Sequence, residues 1–76
     1  MKIEGGKMKH NLKVLRVSKG LKQKECANLI GITPQYLGLI EKGVVEPRRD
    51  VMIKISKVLN ISVQEIFFNE KKGESL

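Results

Sequence analysis

The sequence predicts an all-α fold of about five short helices. Apolar residues recur three and four positions apart along most of the chain, which is the period of a helix that buries one face. Glycine, proline and capping residues divide this pattern into short segments. Strand formation is not expected, because Val44 and Val45 are too few to pair and Pro47 follows them. A chain of 76 residues forms one small domain without room for a deep cofactor cavity.

The first two predicted helices occupy roughly residues 11–19 and 23–30. The first buries Leu12 and Leu15 and ends at Gly20, which suits the left-handed C-terminal position. The second ends in the same way at a glycine. Its inward-facing side chains and its final glycine are Cys26, Ala27, Ile30 and Gly31.

The third predicted helix has a distinct start signal. Thr33 is an N-cap residue, and Pro34 takes the first helical position, where a missing amide costs no hydrogen bond. Leu37 and Ile40 are expected in the core, and Gly43 ends the helix.

The last two predicted helices complete the core. The fourth covers about residues 49–59, and Asn60 is suited to the left-handed conformation that would end it. Its core side chains are Met52, Ile55 and Leu59. The fifth begins at Ser62, whose hydroxyl is expected to form a capping box with Glu65.

These elements place the folded domain at residues 9–68. Residues 1–8 are expected to be a flexible leader or an alternative-start remnant, because they are polar and carry a second methionine at their end. Residues 69–76 are expected to be a polar tail.

The charge of the chain points to a polyanionic partner. Fifteen Lys and Arg against eight Asp and Glu give a formal net charge of +7. Residues 9–68 contain eleven basic and five acidic side chains, so most of the positive excess lies in the domain.

The composition also excludes several classes of site. One cysteine and one histidine exclude an internal disulfide and a Cys/His zinc site, and a reducing cytoplasm is expected. No catalytic set, phosphate-binding glycine loop, signal peptide or membrane span is evident, so we expect no enzyme, cofactor, small-molecule substrate or membrane partner.

A long string of residues at fixed spacing runs through residues 11–67. It consists of Asn11-Leu-Lys-x-Leu-Arg16, Gly20-Leu-x-Gln23-x-Glu-x-Ala27, Ile30-Gly-Ile-Thr33, Tyr36-Leu-x-x-Ile40-Glu41-x-Gly43, Pro47 and Leu59-Asn-Ile-Ser62-x-x-Glu65-Ile66-Phe67. The turn at residues 31–33 joins two helices, and small Ala27 lets them cross closely, as in a helix-turn-helix. The whole string resembles the Cro/CI-like, Xre-type helix-turn-helix family of phage and bacterial transcriptional repressors.

The resemblance implies a lambda-repressor-like DNA-binding fold and a bacterial or phage-encoded, nucleoid-associated regulator in the cytoplasm. The expected function is that of a repressor that binds a palindromic operator in double-stranded DNA as a homodimer, with residues 34–42 in the major groove. The expected base contacts are Pro34, Gln35, Gly38 and Leu39. The expected phosphate contacts are Lys22, Gln23, Lys24, Thr33, Tyr36, Lys42, Arg48 and Arg49.

Three of these positions have a second interpretation. Gln35 matches the donor and acceptor of adenine, but surface glutamines on helices are common. Leu39 would contact a thymine methyl group or would be an ordinary exposed leucine. Tyr36 would bind a phosphate or would pack half-buried against the core.

The resemblance also implies an ion pair between Arg16 and Glu41 that fixes the angle of the third helix, the alternative being two solvated charges. The dimer is expected to form through the crowded apolar fifth segment. Its expected interface residues are Ile66, Phe67 and Phe68. The alternative is that both phenylalanine rings pack inward and the chain dimerises only on DNA.

Two other functional classes stay open. A protein-binding module, such as the antitoxin of a toxin–antitoxin pair, would use the same fold to mask a partner. A basic membrane-surface binder would need one long amphipathic helix, against which the repeated caps argue. For the repressor, the signal that relieves DNA binding is open, and a protein regulator, proteolysis and the protein's own concentration are the alternatives.

Overall fold

The computed structural model describes residues 11–68, which form five helices and no strand. The helices are α1 (Leu12–Ser18), α2 (Gln23–Ile30), α3 (Pro34–Glu41), α4 (Arg49–Leu59) and α5 (Val63–Phe67). The predicted all-α fold is confirmed, and each helix lies within about one residue of its predicted position. The predicted leader (1–8) and tail (69–76), with residues 9 and 10, lie outside the described residues.

The ends of the helices follow from local residue chemistry. The Thr33 hydroxyl accepts a hydrogen bond from the Tyr36 amide at 3.0 Å, so α3 begins with the predicted cap. Asn60 takes the left-handed conformation at the end of α4, with φ of 59°. At the start of α5 the Ser62 hydroxyl accepts from the Glu65 amide at 3.1 Å, while the Glu65 carboxylate lies 3.5 Å from that hydroxyl. The hydroxyl half of the predicted capping box is therefore present.

The core sits where α2 meets α3 and α4, and α5 packs against α4 and α1. Ten buried side chains form it: Leu12, Cys26, Ala27, Ile30, Leu37, Ile40, Ile55, Leu59, Ile66 and Phe67. A hydrogen bond of 3.2 Å from the Asn11 amide to the Ile66 carbonyl joins the start of α1 to α5. This bond brings the two ends of the described chain together. Helix α3 buries one face in the core and keeps the other outside it.

The expected placement of Ile66 and Phe67 at a dimer interface is wrong. Both side chains are buried in the core, with exposed fractions of 0% and 1%. Because α5 packs against two helices, two successive residues both find apolar neighbours. Phe68, with 43% of its surface exposed, is the one predicted interface residue on the outside.

Cys26 is a free, fully buried thiol on the inner face of α2. Burial raises the pKa of this thiol, the nearby charge of Arg16 opposes that rise, and the charge of Glu41 adds to it. The side chain therefore serves as a small apolar core residue.

Candidate nucleic-acid interface

Helix α3 has one face in the core and one face in solvent. Leu37 and Ile40 are completely buried and anchor the helix against α2. Gln35 and Leu39 are exposed on the other side, and their spacing of four residues places one above the other along the helix. Gln35 and Leu39 thereby form an exposed α3 surface, in which a polar amide lies beside an apolar side chain.

The four predicted base contacts differ in accessibility. Gln35 is exposed and Leu39 retains 40% of its surface, whereas Pro34 and Gly38 are half-buried. A Cβ atom on Gly38 would lie 3.4 Å from Nε2 of Gln23, so this part of α3 faces the start of α2. Gln35 and Leu39 are therefore the more accessible pair.

The first turn of α3 is also partly used within the protein. The oxygen of Thr33 caps the helix, but its side chain is exposed and the hydroxyl hydrogen remains available to an acceptor in solvent. Tyr36 is half-buried and packs against the core, in agreement with its packing interpretation. A phosphate contact by either residue remains a prediction.

Exposed basic side chains lie at both ends of the α2–α3 unit in the chain. Lys22 and Lys24 stand at the start of α2, and Lys42 follows α3 directly. Arg48 and Arg49 stand at the start of α4 and are exposed as well. All five predicted cationic contacts are accessible to solvent.

A shallow depression of about 380 Å³ lies between α2 and the start of α3. It is lined by Lys24, Glu25, Asn28, Ile32 and Pro34. Asn28 was not predicted as a contact, although it follows Lys24 by four residues and shares its helix face. This exposed amide is a further polar group beside the predicted contacts.

Arg16 and Glu41 form the ion pair that joins α1 to the end of α3. The Nε atom of Arg16 donates to Oε2 of Glu41 at 2.6 Å, and Nη2 donates to Oε1 at 3.3 Å. The remaining Nη1 donates to the Leu21 carbonyl at 2.8 Å. With side-chain exposures of 7% and 3%, the two charges are removed from water, unlike the solvated alternative.

Gln23 is joined to the same ion pair. Its Nε2 donates to Oε1 of Glu41 at 3.0 Å, across 18 residues of sequence. The predicted phosphate contact is therefore already engaged within the protein through one of its two N–H groups.

Within residues 11–68 no three His, Cys, Asp or Glu side chains are grouped as a metal site would require. None of the helices in that stretch has the length and apolar content needed to cross a membrane.

Residues 11–68 thus define a small helix-turn-helix domain, and comparisons with known proteins agree. The helix-turn-helix family HTH_3 matches residues 12–66. An HTH-type transcriptional regulator from Methanocaldococcus jannaschii is 33% identical over 63 residues, which cover 83% of this chain and 96% of that protein.

Two solved structures have the same fold. The restriction-modification controller protein C.AhdI from Aeromonas hydrophila has a TM-score of 0.71 and 33% identity, covering 75% of this chain and 86% of that one. SinR of Bacillus subtilis, the master regulator for biofilm formation, was solved in complex with DNA. It gives a TM-score of 0.67 and 33% identity over 71% of this chain and 87% of that one.

The chain belongs to the Xre-type helix-turn-helix family of transcriptional regulators. It has the lambda-repressor-like fold, and DNA binding is the property of this family. Members of the family regulate transcription and are not enzymes.

The buried ion pair predicts a strong coupling in stability. Arg16→Ala and Glu41→Ala should each lower the free energy of unfolding by about 3–5 kcal/mol, because each leaves the partner charge buried and unpaired. The double variant should lose less than the sum of the two. Urea melts of the three variants measure this, with Lys13→Ala, an exposed cation on the same helix, as the control. Additive losses below about 0.5 kcal/mol would contradict the coupling.

Proposed function

We propose that this regulator is a repressor that occupies a palindromic operator as a homodimer, with α3 in the major groove. The observation that carries the proposal is the exposed α3 surface of Gln35 and Leu39, which lies opposite two fully buried residues of the same helix. An exposed amide beside an apolar side chain offers hydrogen-bonding and methyl-contacting groups of the kind that base edges in a major groove accept. The relative SinR, solved with DNA, supports the same class of partner.

Contacts to the DNA backbone would come from both ends of the α2–α3 unit. Lys22, Lys24 and Lys42, together with Arg48 and Arg49, would neutralise phosphates and release condensed counterions. Such contacts fix register and orientation but carry no sequence information of their own. The polar groups of Gln23, Thr33 and Tyr36 would add hydrogen bonds to phosphate oxygens.

Sequence would be read mainly by Gln35 and Leu39. The Gln35 amide donates and accepts hydrogen bonds together, which matches the N6 and N7 edge of adenine. Leu39 would lie against a thymine methyl group, while Pro34 and Gly38 would approach the bases closely without hydrogen-bonding side chains. Gln35 would be the main side chain that forms hydrogen bonds to bases. Sequence specificity would therefore depend strongly on dimer formation, which brings a second Gln35 to the operator.

The dimer would form through Phe68, the exposed residue at the end of α5. Its ring centroid lies 6.5 Å from that of buried Phe67, so the partly exposed ring is adjacent to the apolar core. Two such surfaces related by a two-fold axis would present two α3 helices to successive major grooves. Repression would then follow from occupying the operator in the cytoplasm, with a protein regulator among the means of release.

The relatives named above are described as transcriptional regulators or controller proteins, and so favour this function over the antitoxin-like alternative. The proposal is tested by selecting bound duplexes from a random library, followed by footprinting. A palindrome with half-sites about one helical turn apart is expected. Absence of any enriched sequence would contradict an operator-binding repressor.

Base and phosphate contacts should respond differently to substitution. Gln35→Ala should cost about 1–3 kcal/mol on the selected site and relax the preference at one base pair. Arg48→Ala should weaken binding to all sequences equally and reduce the salt slope by about 0.9, since one phosphate contact is lost. Titrations on specific and random duplexes at several salt concentrations measure both effects.

The control for these titrations is Lys57→Ala, which removes an exposed cation of α4 outside the predicted contacts. It should leave specificity unchanged and alter affinity less than Arg48→Ala. Equal losses on specific and random DNA for Gln35→Ala would exclude base reading by that residue.

Replacing Phe68 with glutamate should produce a monomer. The charge would be desolvated at the proposed interface but solvated in the free domain, so helical circular dichroism should persist. Analytical ultracentrifugation measures the state of association, and binding to a full operator should fall far more than binding to a half-site. Val14→Glu, on a more exposed apolar residue of α1, is the matched control and should remain dimeric. A wild-type protein that sediments as a monomer at tens of micromolar would show the Phe68 interface to be wrong.

A further inference from the structure

The side-chain amide of Gln23 is held in one orientation. Its Nε2 lies 3.0 Å from Oε1 of Glu41. A carboxylate accepts hydrogen bonds and donates none, so it selects the nitrogen of the amide and turns the carbonyl oxygen away. One N–H of Gln23 is thereby used, and a second N–H remains.

The carboxylate that orients Gln23 is itself immobile. Oε1 of Glu41 accepts from both Gln23 and Nη2 of Arg16, and Oε2 accepts from Nε of Arg16. Both charged side chains are more than nine-tenths buried. Rotation of the Glu41 carboxylate would break bonds to two partners at once in a site that is largely shielded from water.

Gly38 of α3 leaves space beside the same amide. A Cβ atom on Gly38 would lie 3.4 Å from Nε2 of Gln23 and 3.8 Å from both Cδ and Oε1. A side chain at position 38 would therefore begin in contact with the amide. The hydrogen bond to Glu41 therefore sets the orientation of the amide, and glycine at position 38 leaves room for it beside α3.

We propose that Glu41 is a positioning residue for DNA: by binding one N–H of Gln23, it directs the other at a phosphate oxygen. This inference rests on the proposed function. No other protein partner of the Gln23 amide is present among residues 11–68, and the residue stands between the exposed cations Lys22 and Lys24. These two cations attract a phosphate to the start of α2, where the fixed amide meets it.

A phosphate contact by the Gln23 amide should affect DNA affinity and its salt dependence differently from a contact by a lysine. Gln23 is neutral, so its contact with a phosphate displaces no condensed cation of its own. Loss of the positioned amide should lower affinity without changing the salt slope. Loss of a lysine contact should change both.

The experiment compares wild type with Gln23→Met, with the double variant Arg16→Met/Glu41→Met and with the triple variant. Two methionines replace the buried charges by apolar side chains of similar length, an exchange that proteins often tolerate, and they remove the acceptor of the Gln23 amide. Circular dichroism melts establish that each variant is folded at the assay temperature. Fluorescence anisotropy on the selected duplex then gives affinity at several salt concentrations.

We expect Gln23→Met to weaken DNA binding about fivefold, as for one hydrogen bond, with an unchanged salt slope. Arg16→Met/Glu41→Met should lose affinity by a similar factor, and the triple variant should lose no more. Lys22→Ala is the contrasting control, and it should reduce the salt slope by about 0.9.

Two results would overturn the inference. The first is wild-type affinity in the folded Arg16→Met/Glu41→Met protein, and the second is a triple variant whose loss is the product of the other two. If the double variant does not fold, Glu41→Asp keeps the charge for Arg16 while withdrawing the carboxylate from Gln23, and the same comparison applies. A wild-type protein that binds no duplex would reject the proposed function itself, whereas normal wild-type binding with independent losses rejects only the positioning role.

Discussion

The buried pair of Arg16 and Glu41 is the interaction on which the arrangement of this domain depends. Ten side chains make up the core, and apolar packing alone is not directional enough to fix how a short helix is rotated. The ion pair supplies that direction, because a guanidinium and a carboxylate bind in one geometry. The pair joins α1 to α3. Arg16 also donates a hydrogen bond to the Leu21 carbonyl before α2, and Glu41 accepts one from Gln23 at the start of α2.

The charged side chains discussed above are of two kinds, a buried ion pair and a group of exposed basic residues. Inside, one positive and one negative side chain cancel each other, and both are removed from solvent. Outside, basic side chains dominate the two ends of the α2–α3 unit, where they remain hydrated. The internal ion pair joins α3 to the rest of the domain, whereas the external side chains give the surface around α3 an excess of positive charge. The attachment of α3 and the charge of its surroundings are thus provided by different residues.

The parts of this fold that are predictable from sequence are those set by neighbouring residues. Thr33 with Pro34, and Asn60 after an apolar period, specify helix ends through local hydrogen bonds and backbone preferences. The inward position of Phe67 was not predictable in this way, because it depends on how α5 lies against two other helices. The bond from Gln23 to Glu41 also escaped prediction, since it joins residues that only tertiary packing brings together. The ion pair between Arg16 and Glu41 is predicted by the family resemblance and not by residue spacing.

The start of α3 has a consequence for the thermodynamics of association. Proline fixes the backbone angle of its first residue, the Thr33 cap binds the Tyr36 amide, and the Leu37 amide donates to the Thr33 carbonyl at 3.0 Å. Helix order at this end is therefore complete in the isolated protein. Binding through α3 would require no coil-to-helix transition, so its heat-capacity change would report the surfaces brought together and not a coupled folding step.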